Sequence, residues 1–569
     1  MFKRFFNKVN TQSQTITSAA IIIGSLSVVS RLMGIFRDRI LASQFGAGDV
    51  LDAYYAAFRL PDLVYNLLIL GAVSAGLIPV FTMLLTKHKN NEAWKLINSI
   101  LNILSVGLIV VCAGLFFSAP WLIPLITPGF SPEKMDMVVR LSQIMFLSPI
   151  FLGLSSIFSS ILQSFRKFVV YSIAPLFYNL GIIFGALYLV KPFGVYGLAW
   201  GVVLGAILHM IVQFVPTFTV GYKYTFDFDF KNKYVVQVAK LMVPRTLALA
   251  ITQINFLIIT LVASTLAAGS LAIFNLSNNL QNFPLGIFGV SLAVAALPVL
   301  STLTAENKMK DFVKTMSSTL RQILFFIVPI SVLLYVLRAQ IVRVLLGAGK
   351  FDWYDTRLTA ACLAVFCIGL FAQGAFPLII RGFYALHNTK TPFYVGLCTM
   401  VVSFVSLMSF RWVFSFENWF SFATTALLRI DDLGGLVDFR VLALPAAITV
   451  SSIFELIVLM IYLRKSIGML DGRKIVDSLF KIVFASLGAG ILAYGSLWLI
   501  DKGVPTEKLW GIFSQGLIAG LAGIVGFWLI GSLLKIEEMS TFFASMKRKL
   551  FKSAKVMAED SINEGEGGA

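Results

Sequence analysis

Long apolar runs dominate this chain of 569 residues. Each run is about twenty residues or longer, which is the length a helix needs to cross the hydrocarbon core of a bilayer. The runs predict about fourteen spanning helices, with approximate limits of 18–43, 52–85, 94–118, 136–162, 168–190, 195–219, 235–265, 270–303, 311–337, 356–385, 391–413, 441–463, 475–500 and 509–534. Because the runs are continuous and do not alternate with polar residues as barrel strands do, they predict an all-α polytopic membrane protein.

An internal repeat relates the first six predicted spans to the next six. Shifts of 219 and 221 residues pair similar residues in order along the chain. The pairs are Pro79 with Pro298, Lys89 with Lys308, Lys95 with Lys314, Phe130 with Phe351, Gly153 with Gly374 and Phe165 with Leu386. Two parallel halves of six helices are typical of transporters whose substrate site lies between the halves. Chance similarity between apolar helices is the alternative explanation.

This repeat predicts how the chain is divided into domains. The predicted parts are a cytoplasmic N-terminus at 1–17, six-helix lobes at 18–221 and 222–465, two additional transmembrane helices at 466–535, and a basic, then acidic, cytoplasmic tail at 536–569. An insertion of the second lobe, around 414–440, is predicted to form an amphipathic helix near the outer surface. Pro61 and Pro284, each followed by glycines, predict bends in the second and eighth spans.

Charge and composition narrow the class of protein further. Charged residues make up 13% of the chain, about half the share of a soluble protein, which excludes a water-soluble enzyme of several domains. The net charge of +18 is spread along the chain, so it indicates cytoplasmic loops and contacts with anionic membrane lipids, and no nucleic-acid partner. Lysines and arginines are more frequent in the loops on the N-terminal side, which predicts a multi-pass membrane protein with both termini in the cytoplasm.

The chemistry of cofactors and catalysis has no local signature in the sequence. The four cysteines lie inside apolar runs, and the three histidines are scattered, so neither a disulfide framework nor a zinc site is indicated. The segment Gly347-Ala348-Gly349-Lys350 lacks the upstream glycine and the hydroxyl residue of a phosphate-binding loop. The sequence therefore predicts a protein that is not an enzyme and holds no cofactor or metal.

Ionisable residues within the first two spans are the candidates for a functional site. They are Arg31, Arg37, Asp38 and Arg39 in the first span, and Asp52, Arg59 and Asp62 in the second. A charge inside a span costs a few kcal/mol or more, so such residues usually face a protein interior or a watery cavity. The guanidinium fork suits phosphate in particular. The alternative is that these arginines reach the membrane interface or pair with Asp38 and Asp52.

Several short motifs of the chain form a recognisable set. They are Ser30-Arg31-Leu32-Met33-Gly34 with Arg37-Asp38, Phe45-Gly46-Ala47-Gly48 with Asp52-Ala53, Phe58-Arg59-Leu60-Pro61, Gly71-Ala72 through Ile78-Pro79, Phe283-Pro284 with Gly286 to Pro298, and Phe383-Tyr384-Ala385-Leu386 with Thr389-Lys390-Thr391-Pro392. With these motifs the chain resembles the MurJ family of lipid II flippases in the MOP exporter superfamily. The resemblance implies transfer of lipid II from the inner to the outer leaflet by alternating access. It also implies a cationic central cavity for the pyrophosphate, with cell-wall synthesis proteins as further partners.

The resemblance also implies which residues line or support that cavity. They are Ser30, Arg31, Arg37, Asp38, Asp52, Asn179 and Gln253. The chain departs from the family where arginines are common, with Tyr65 in the second span and Asn279 in the eighth. Arg59 and Arg245 are the candidates to supply the missing positive charge, and helix anchoring at the membrane interface is the alternative role for both.

Two other functions are compatible with the sequence. The departures at Tyr65 and Asn279 make an exporter of another polyprenyl-pyrophosphate-linked saccharide the first alternative. The second is a membrane scaffold that recruits cell-envelope enzymes without transporting anything. The intramembrane Arg–Asp cluster argues against a scaffold, since a scaffold gains nothing from such costly residues.

Overall fold

The computed structural model describes residues 16–70, 76–416, 418–429, 438–468, 470–501 and 508–542, and of residues 16–23, 70, 243–245 and 247–248 it describes the backbone alone. Within these ranges the regular elements are helices, and no strand occurs. The first ten α-helices are α1 Ile16–Phe45, α2 Asp49–Ala57, α3 Arg59–Val64, α4 Ile78–Thr86, α5 Asn90–Ile126, α6 Pro132–Met145, α7 Leu147–Ser164, α8 Phe168–Phe184, α9 Val190–Phe193 and α10 Tyr196–Thr217. The others are α11 Lys233–Ser264, α12 Ser270–Pro284, α13 Ser291–Ala305, α14 Met309–Val336, α15 Arg338–Leu346, α16 Trp353–Ala385, α17 Lys390–Val413, α18 Trp419–Leu428, α19 Ala443–Ile467, α20 Gly472–Asp501 and α21 Leu509–Leu533.

Most of the predicted spans are matched by long apolar helices. In the described part of the chain, 11 helical segments are long and apolar enough to cross a membrane, which confirms the all-α polytopic fold. The other three predicted spans, 18–43, 52–85 and 235–265, are helical where they are described but are not among the 11. The count of fourteen is therefore not confirmed. These three are also the spans that carry the charged residues of the candidate site.

Two compact units make up the chain, and neither is continuous in sequence. Unit 1 comprises Met1–Leu280, Val342–Val365 and Gly396–Ser451, and unit 2 comprises Gln281–Ile341, Phe366–Val395 and Ser452–Ala569. Several long helices, α12 and α16 among them, run from one unit into the other. The predicted lobe boundaries at 18–221 and 222–465 stay a prediction.

The internal repeat is visible in the local backbone. Short π-helical segments occupy Tyr65–Leu70 and Leu285–Val290, which begin 285 − 65 = 220 residues apart. Each follows directly on a helix that contains one of the prolines predicted to cause a bend, Pro61 and Pro284. A π-helical turn interrupts the regular hydrogen-bond ladder, which is a recognised cause of helix distortion. The predicted irregularity of both spans is thus confirmed.

Two pairs of tight turns occupy equivalent positions in the two copies of the repeat. His88 and Asn307 both have φ 56°, and Arg166 and His387 both have φ 58°. After each of these residues, the next backbone N–H donates to a carbonyl five residues earlier, as in Lys89 to Leu84 (3.0 Å). The repeat therefore extends from sequence to backbone conformation, as expected of duplicated units.

Unit 2 is organised around its own apolar core. Side chains from α13, α14, α16, α19 and α20 form the core, and Phe312 and Phe383 are fully buried in it. Arg321 on α14 pairs with Glu537 and Glu538, which follow α21. This ion pair and the buried Met539 attach the segment after α21 to the core.

In unit 1, glycines bring α8 and α10 into close contact. A Cβ atom added to Gly181 would lie 2.3 Å from the Cα of Gly205, and one added to Gly185 would lie 2.4 Å from the Cα of Gly201. Only glycine permits such an approach, which is common where helices pack in membranes. The contact fixes α8, which carries Asn179, against its neighbour.

The insertion around 414–440 forms a short helix, α18, in its described part. Residues 417 and 430–437 of the insertion lie outside the described residues. The prediction of an amphipathic helix is wrong, because the helix contains no charged residue and exposes Trp419, Phe422 and Leu427.

Candidate functional site

A cavity of about 330 Å³ lies within unit 1, among the first two predicted spans and α8, α11 and α12. It is lined by Arg37, Asp38, Leu41, Tyr54, Tyr55, Phe58, Arg59, Asp62, Tyr178, Ile182, Gln253, Phe256, Asn275, Asn278 and Asn279. Four of these side chains are ionisable at neutral pH, and they come from two short stretches of sequence. The cavity thus collects most of the intramembrane charges that the sequence indicated.

Arg37 is held from two sides. Its Nε and one terminal nitrogen donate to the same Asp38 oxygen at 3.0 and 2.7 Å, and its other terminal nitrogen donates to Asn179 Oδ1 at 3.1 Å. The Asn179 amide in turn donates to the carbonyl of Pro175 at 3.0 Å, which fixes its orientation. These bonds use three of the five N–H donors of a guanidinium group and leave the others for a ligand.

The Asp38 carboxylate is fully engaged. Its Oδ1 accepts from Arg37, and its Oδ2 accepts from the side-chain amide of Asn279 at 2.9 Å. Asp38 is also buried, with 4% of its surface exposed. Such a carboxylate orients its neighbours, since its own oxygens repel an incoming anion.

Arg59 joins three helices at the wall of the cavity. Its Nε donates to Thr260 Oγ1 on α11 at 2.7 Å, and a terminal nitrogen donates to Asn275 Oδ1 on α12 at 3.0 Å. The guanidinium carbon lies 5.4 Å from the ring centre of Phe256. Membrane-interface anchoring, the alternative role considered for Arg59, is therefore not what the structure shows.

The ionisable groups of the cavity balance in charge. Arg37 and Arg59 contribute two positive charges, and Asp38 and Asp62 contribute two negative charges. The resemblance implies a cationic cavity, whereas the formal charges of the described side chains of this lining sum to zero. The difference arises because Asp62 is present in the wall and Asn279 contributes no charge.

The other predicted site residues take different positions. Gln253 lines the cavity, whereas Asn179 lies behind Arg37 and contacts it. Ser30 and Arg31, both partly exposed on α1, do not line the cavity. Arg245 belongs to α11, but its side chain lies outside the described residues.

Asp52 has a structural position away from the cavity lining. Its side chain is 2% exposed and accepts hydrogen bonds from the backbone N–H groups of Gly269 and Ala272 at 2.7 and 2.8 Å. These groups stand at the start of α12, where backbone donors lack helical partners. Lys134 Nζ lies 2.8 Å from the same carboxylate and 2.7 Å from Asp49. The implied role of Asp52 in lining the cavity is therefore not what this geometry provides.

Further hydrogen bonds tie the chain together beyond the C-terminal end of α1. The Lys350 N–H donates to the carbonyl of Ser43 at 2.8 Å, and the Ala47 N–H donates to Asp355 Oδ2 at 2.9 Å. Gly269, with φ 87°, approaches so closely that an added Cβ would lie 2.0 Å from the carbonyl oxygen of Ala47. We call this end of unit 1 the closed end, because these contacts join its segments.

Asp438 strengthens the same closed end. It accepts from the N–H of Ala267 at 3.0 Å and pairs with Arg440 at 2.7 Å. Although burial acts to raise it, the pKa of Asp438 lies below its ordinary value because these donors stabilise the carboxylate.

Comparison with known proteins shows to which family the chain belongs. Residues 41–514 match the family described as "Lipid II flippase MurJ". The chain belongs to this family.

Individual proteins that are similar to this chain carry the same description. A protein described as "Probable lipid II flippase MurJ" from Buchnera aphidicola subsp. Baizongia pistaciae is 28% identical over 426 residues, which is 72% of this chain and 82% of that protein. A "Lipid II flippase MurJ" from Burkholderia cenocepacia is 26% identical over 68% of this chain and 77% of its own length.

Solved structures confirm the fold. A structure titled "Lipid II flippase MurJ, inward closed conformation" has a TM-score of 0.70 at 24% identity and covers 90% of this chain and 98% of its own. An inward-facing multidrug transporter of the MATE family, in the MOP superfamily, has a TM-score of 0.61 at 13% identity, covering 80% and 99%.

Sequence reasoning missed several residues of the cavity, Asn275 and Asn278 among them, and named Asn279 only as the place of a missing arginine. Asn278 and Asn279 lie three and four residues after Asn275 on α12, so the three share one helix face. Three amides on one stripe of an apolar span were a signal that could have been used. The tyrosines of the lining gave no such signal, because an aromatic residue in a span packs against its neighbours as often as it has a functional role.

Proposed function

We propose that this protein is a flippase that moves lipid II, the lipid-linked peptidoglycan precursor, from the inner to the outer leaflet by alternating access. Membership of the family supports the substrate. Among this chain's own residues, the arrangement of Arg37 is the observation that supports the proposal most directly. A guanidinium group kept inside apolar helices, with N–H donors left over, fits a pyrophosphate better than it fits a structural role.

The chemistry of this site is binding alone, without covalent steps. Asp38 and Asn179 fix the plane of the Arg37 guanidinium, so little side-chain entropy is lost when phosphate oxygens bind. Arg59 presents a second guanidinium, of which two N–H groups bond to Thr260 and Asn275. The headgroup would lie between these two arginines, with Gln253 beside it.

The closed end of unit 1 supports a direction for the cycle. Its contacts join segments that the loop charges predict to face the outside, namely 43–52, 265–270 and 347–355. Loading would then take place from the cytoplasmic side, and release would require these contacts to break. The protein would be a multi-pass protein of the bacterial inner membrane with both termini in the cytoplasm. Membrane lipids and cell-wall synthesis proteins would be its other partners.

Export of another polyprenyl-pyrophosphate-linked saccharide is the second candidate function. It is favoured by Asn279, which donates a hydrogen bond but supplies no charge. Such a substrate shares the pyrophosphate and differs in its sugars, so the arginines alone do not separate the two.

The proposal is tested by depleting the protein in its own cells and measuring lipid II on the outer leaflet. A membrane-impermeant probe that binds or cleaves exposed lipid II gives the readout. We expect surface lipid II to fall while total lipid II rises, and expression of the wild-type chain to restore both. Unchanged surface lipid II would reject lipid II as the substrate and leave the fold assignment intact.

A further inference from the structure

The charge balance of the cavity raises a problem for an anionic substrate. Among the described side chains of the lining, two arginines face two aspartates, so their formal charges sum to zero. A pyrophosphate diester brings two more negative charges into a site surrounded by apolar helices, where uncompensated charge is costly. Binding therefore requires that one of the two carboxylates lose its charge or that a cation enter with the substrate.

Asp38 and Asp62 differ sharply in how their charges are stabilised. Asp38 receives hydrogen bonds from Arg37 on one oxygen and from Asn279 on the other. Among the described residues, no side chain or backbone group donates to the Asp62 carboxylate, although Asp62 lines the same cavity. Protonating Asp38 would disrupt the arrangement that orients Arg37, whereas protonating Asp62 disrupts no hydrogen bond.

Few other groups near Asp62 stabilise its negative charge. Arg59, three residues earlier, attracts it, but the Arg59 guanidinium is directed to Thr260 and Asn275. The other charged groups of the cavity are Arg37 and Asp38 on α1. The tyrosines with an electrostatic interaction with Asp62 are Tyr54 on α2, Tyr178 on α8 and Tyr65, which directly follows α3. From α11, the described side chains that line the cavity are Gln253 and Phe256, which do not titrate. The side chain of Arg245, also on α11, lies outside the described residues.

We propose that Asp62 is a proton-binding site coupled to the substrate: its carboxylate takes up one proton from water when a pyrophosphate headgroup occupies the cavity. The carboxylate becomes a carboxylic acid, whose O–H can donate to a phosphate oxygen, and the proton returns to water when the headgroup leaves. This inference rests on the proposed function, since it assumes that the ligand is a pyrophosphate.

Two consequences follow from this coupling. The affinity for a pyrophosphate ligand rises as the pH falls, because the state that binds the ligand also binds a proton. The loaded cavity carries one negative charge fewer than the ligand alone would give it. An inside-negative membrane potential, which drives negative charge outward, therefore acts on a smaller net charge in each transport step.

The test measures proton uptake during binding of farnesyl pyrophosphate to the purified full-length protein in detergent. Calorimetric titrations in two buffers of different ionisation enthalpy, at one pH, give the number of protons taken up per ligand. The ligand and its own protonation are the same for every variant, so the difference between variants isolates the protein group. We expect wild type to take up about one proton more than Asp62→Asn, and the affinity of Asp62→Asn to depend less on pH.

Glu455→Gln is the matched control, since it removes another intramembrane carboxylate, on α19, outside this cavity. It should take up as many protons as wild type. Equal uptake by wild type and Asp62→Asn, or loss of uptake in Glu455→Gln alone, would overturn the inference. If Asp62→Asn is not folded, a wild-type affinity that does not rise as pH falls overturns it equally. Absence of any binding by wild type would reject the proposed function, and this inference with it.

Discussion

Replacing Arg37 with alanine is expected to abolish lipid II flipping, and replacing it with lysine to reduce flipping nearly as much. The guanidinium reaches Asp38 and Asn179 at the same time and still has N–H donors for phosphate. A lysine ammonium keeps the charge but lacks the planar fork. One charge-assisted hydrogen bond is worth about 1.5–3 kcal/mol, so the affinity should fall by about tenfold to a hundredfold for each bond lost.

The measurement for Arg37 is the rate of lipid II exposure at equal amounts of membrane-inserted protein. Arg140→Ala is the matched control, because Arg140 forms an exposed ion pair with Asp136 at 2.9 Å, outside the cavity. It should flip lipid II at the wild-type rate. Full activity of Arg37→Ala would show that this cavity is not where the headgroup binds.

Replacing Lys134 with methionine is expected to destabilise the protein more than any single exposed ion-pair substitution. The Lys134 side chain is 8% exposed and the Asp52 side chain 2%. Methionine keeps the length of the side chain but leaves the buried carboxylate without its cation. Loss of one partner of a buried pair typically costs about 3–5 kcal/mol. A lower midpoint of thermal unfolding, measured on purified protein in detergent, is the expected result.

A double-mutant cycle with Asp52→Asn separates the interaction energy of the Lys134–Asp52 pair from the other effects of each substitution. In the Asp52→Asn background, Lys134→Met should cost clearly less than it does in wild type. Lys89→Met is the control, because Lys89 and Glu92 form an exposed pair at 3.1 Å, a kind that contributes at most about 1 kcal/mol. Equal thermal shifts for Lys134→Met and Lys89→Met would contradict the structural role assigned to Asp52.

Most of the fold follows from the sequence, because apolar length and the cost of intramembrane charge are strong local signals. The runs located nearly every long helix to within a few residues, and the prolines at 61 and 284 marked two of the π-helical segments of the described residues. The insertion shows the limit of this reasoning. A helix was predicted in the insertion, and Trp419–Leu428 is helical, but the apolar surface of this helix was not predicted.

The candidate site was only partly predictable, because helix rotation and distant partners are not local properties. Arg31 and Arg37 lie six residues apart, which is about 120° around a helix, and only Arg37 lines the cavity. The family resemblance placed Asp52 among the residues that line or support the cavity. Its actual partners, Lys134 and the start of α12, are 82 and 217–220 residues away and cannot be read from spacing.

The central claim is tested most directly by reconstituting the purified chain in vesicles that contain lipid II and carry an inside-negative potential. A membrane-impermeant enzyme outside the vesicles, which cleaves the pyrophosphate linkage, reports the lipid II that reaches the outer leaflet. We predict that the wild-type chain makes lumenal-leaflet lipid II accessible and that Arg37→Ala does not. Movement of another polyprenyl-pyrophosphate-linked saccharide without lipid II, or of neither lipid, would contradict the claim.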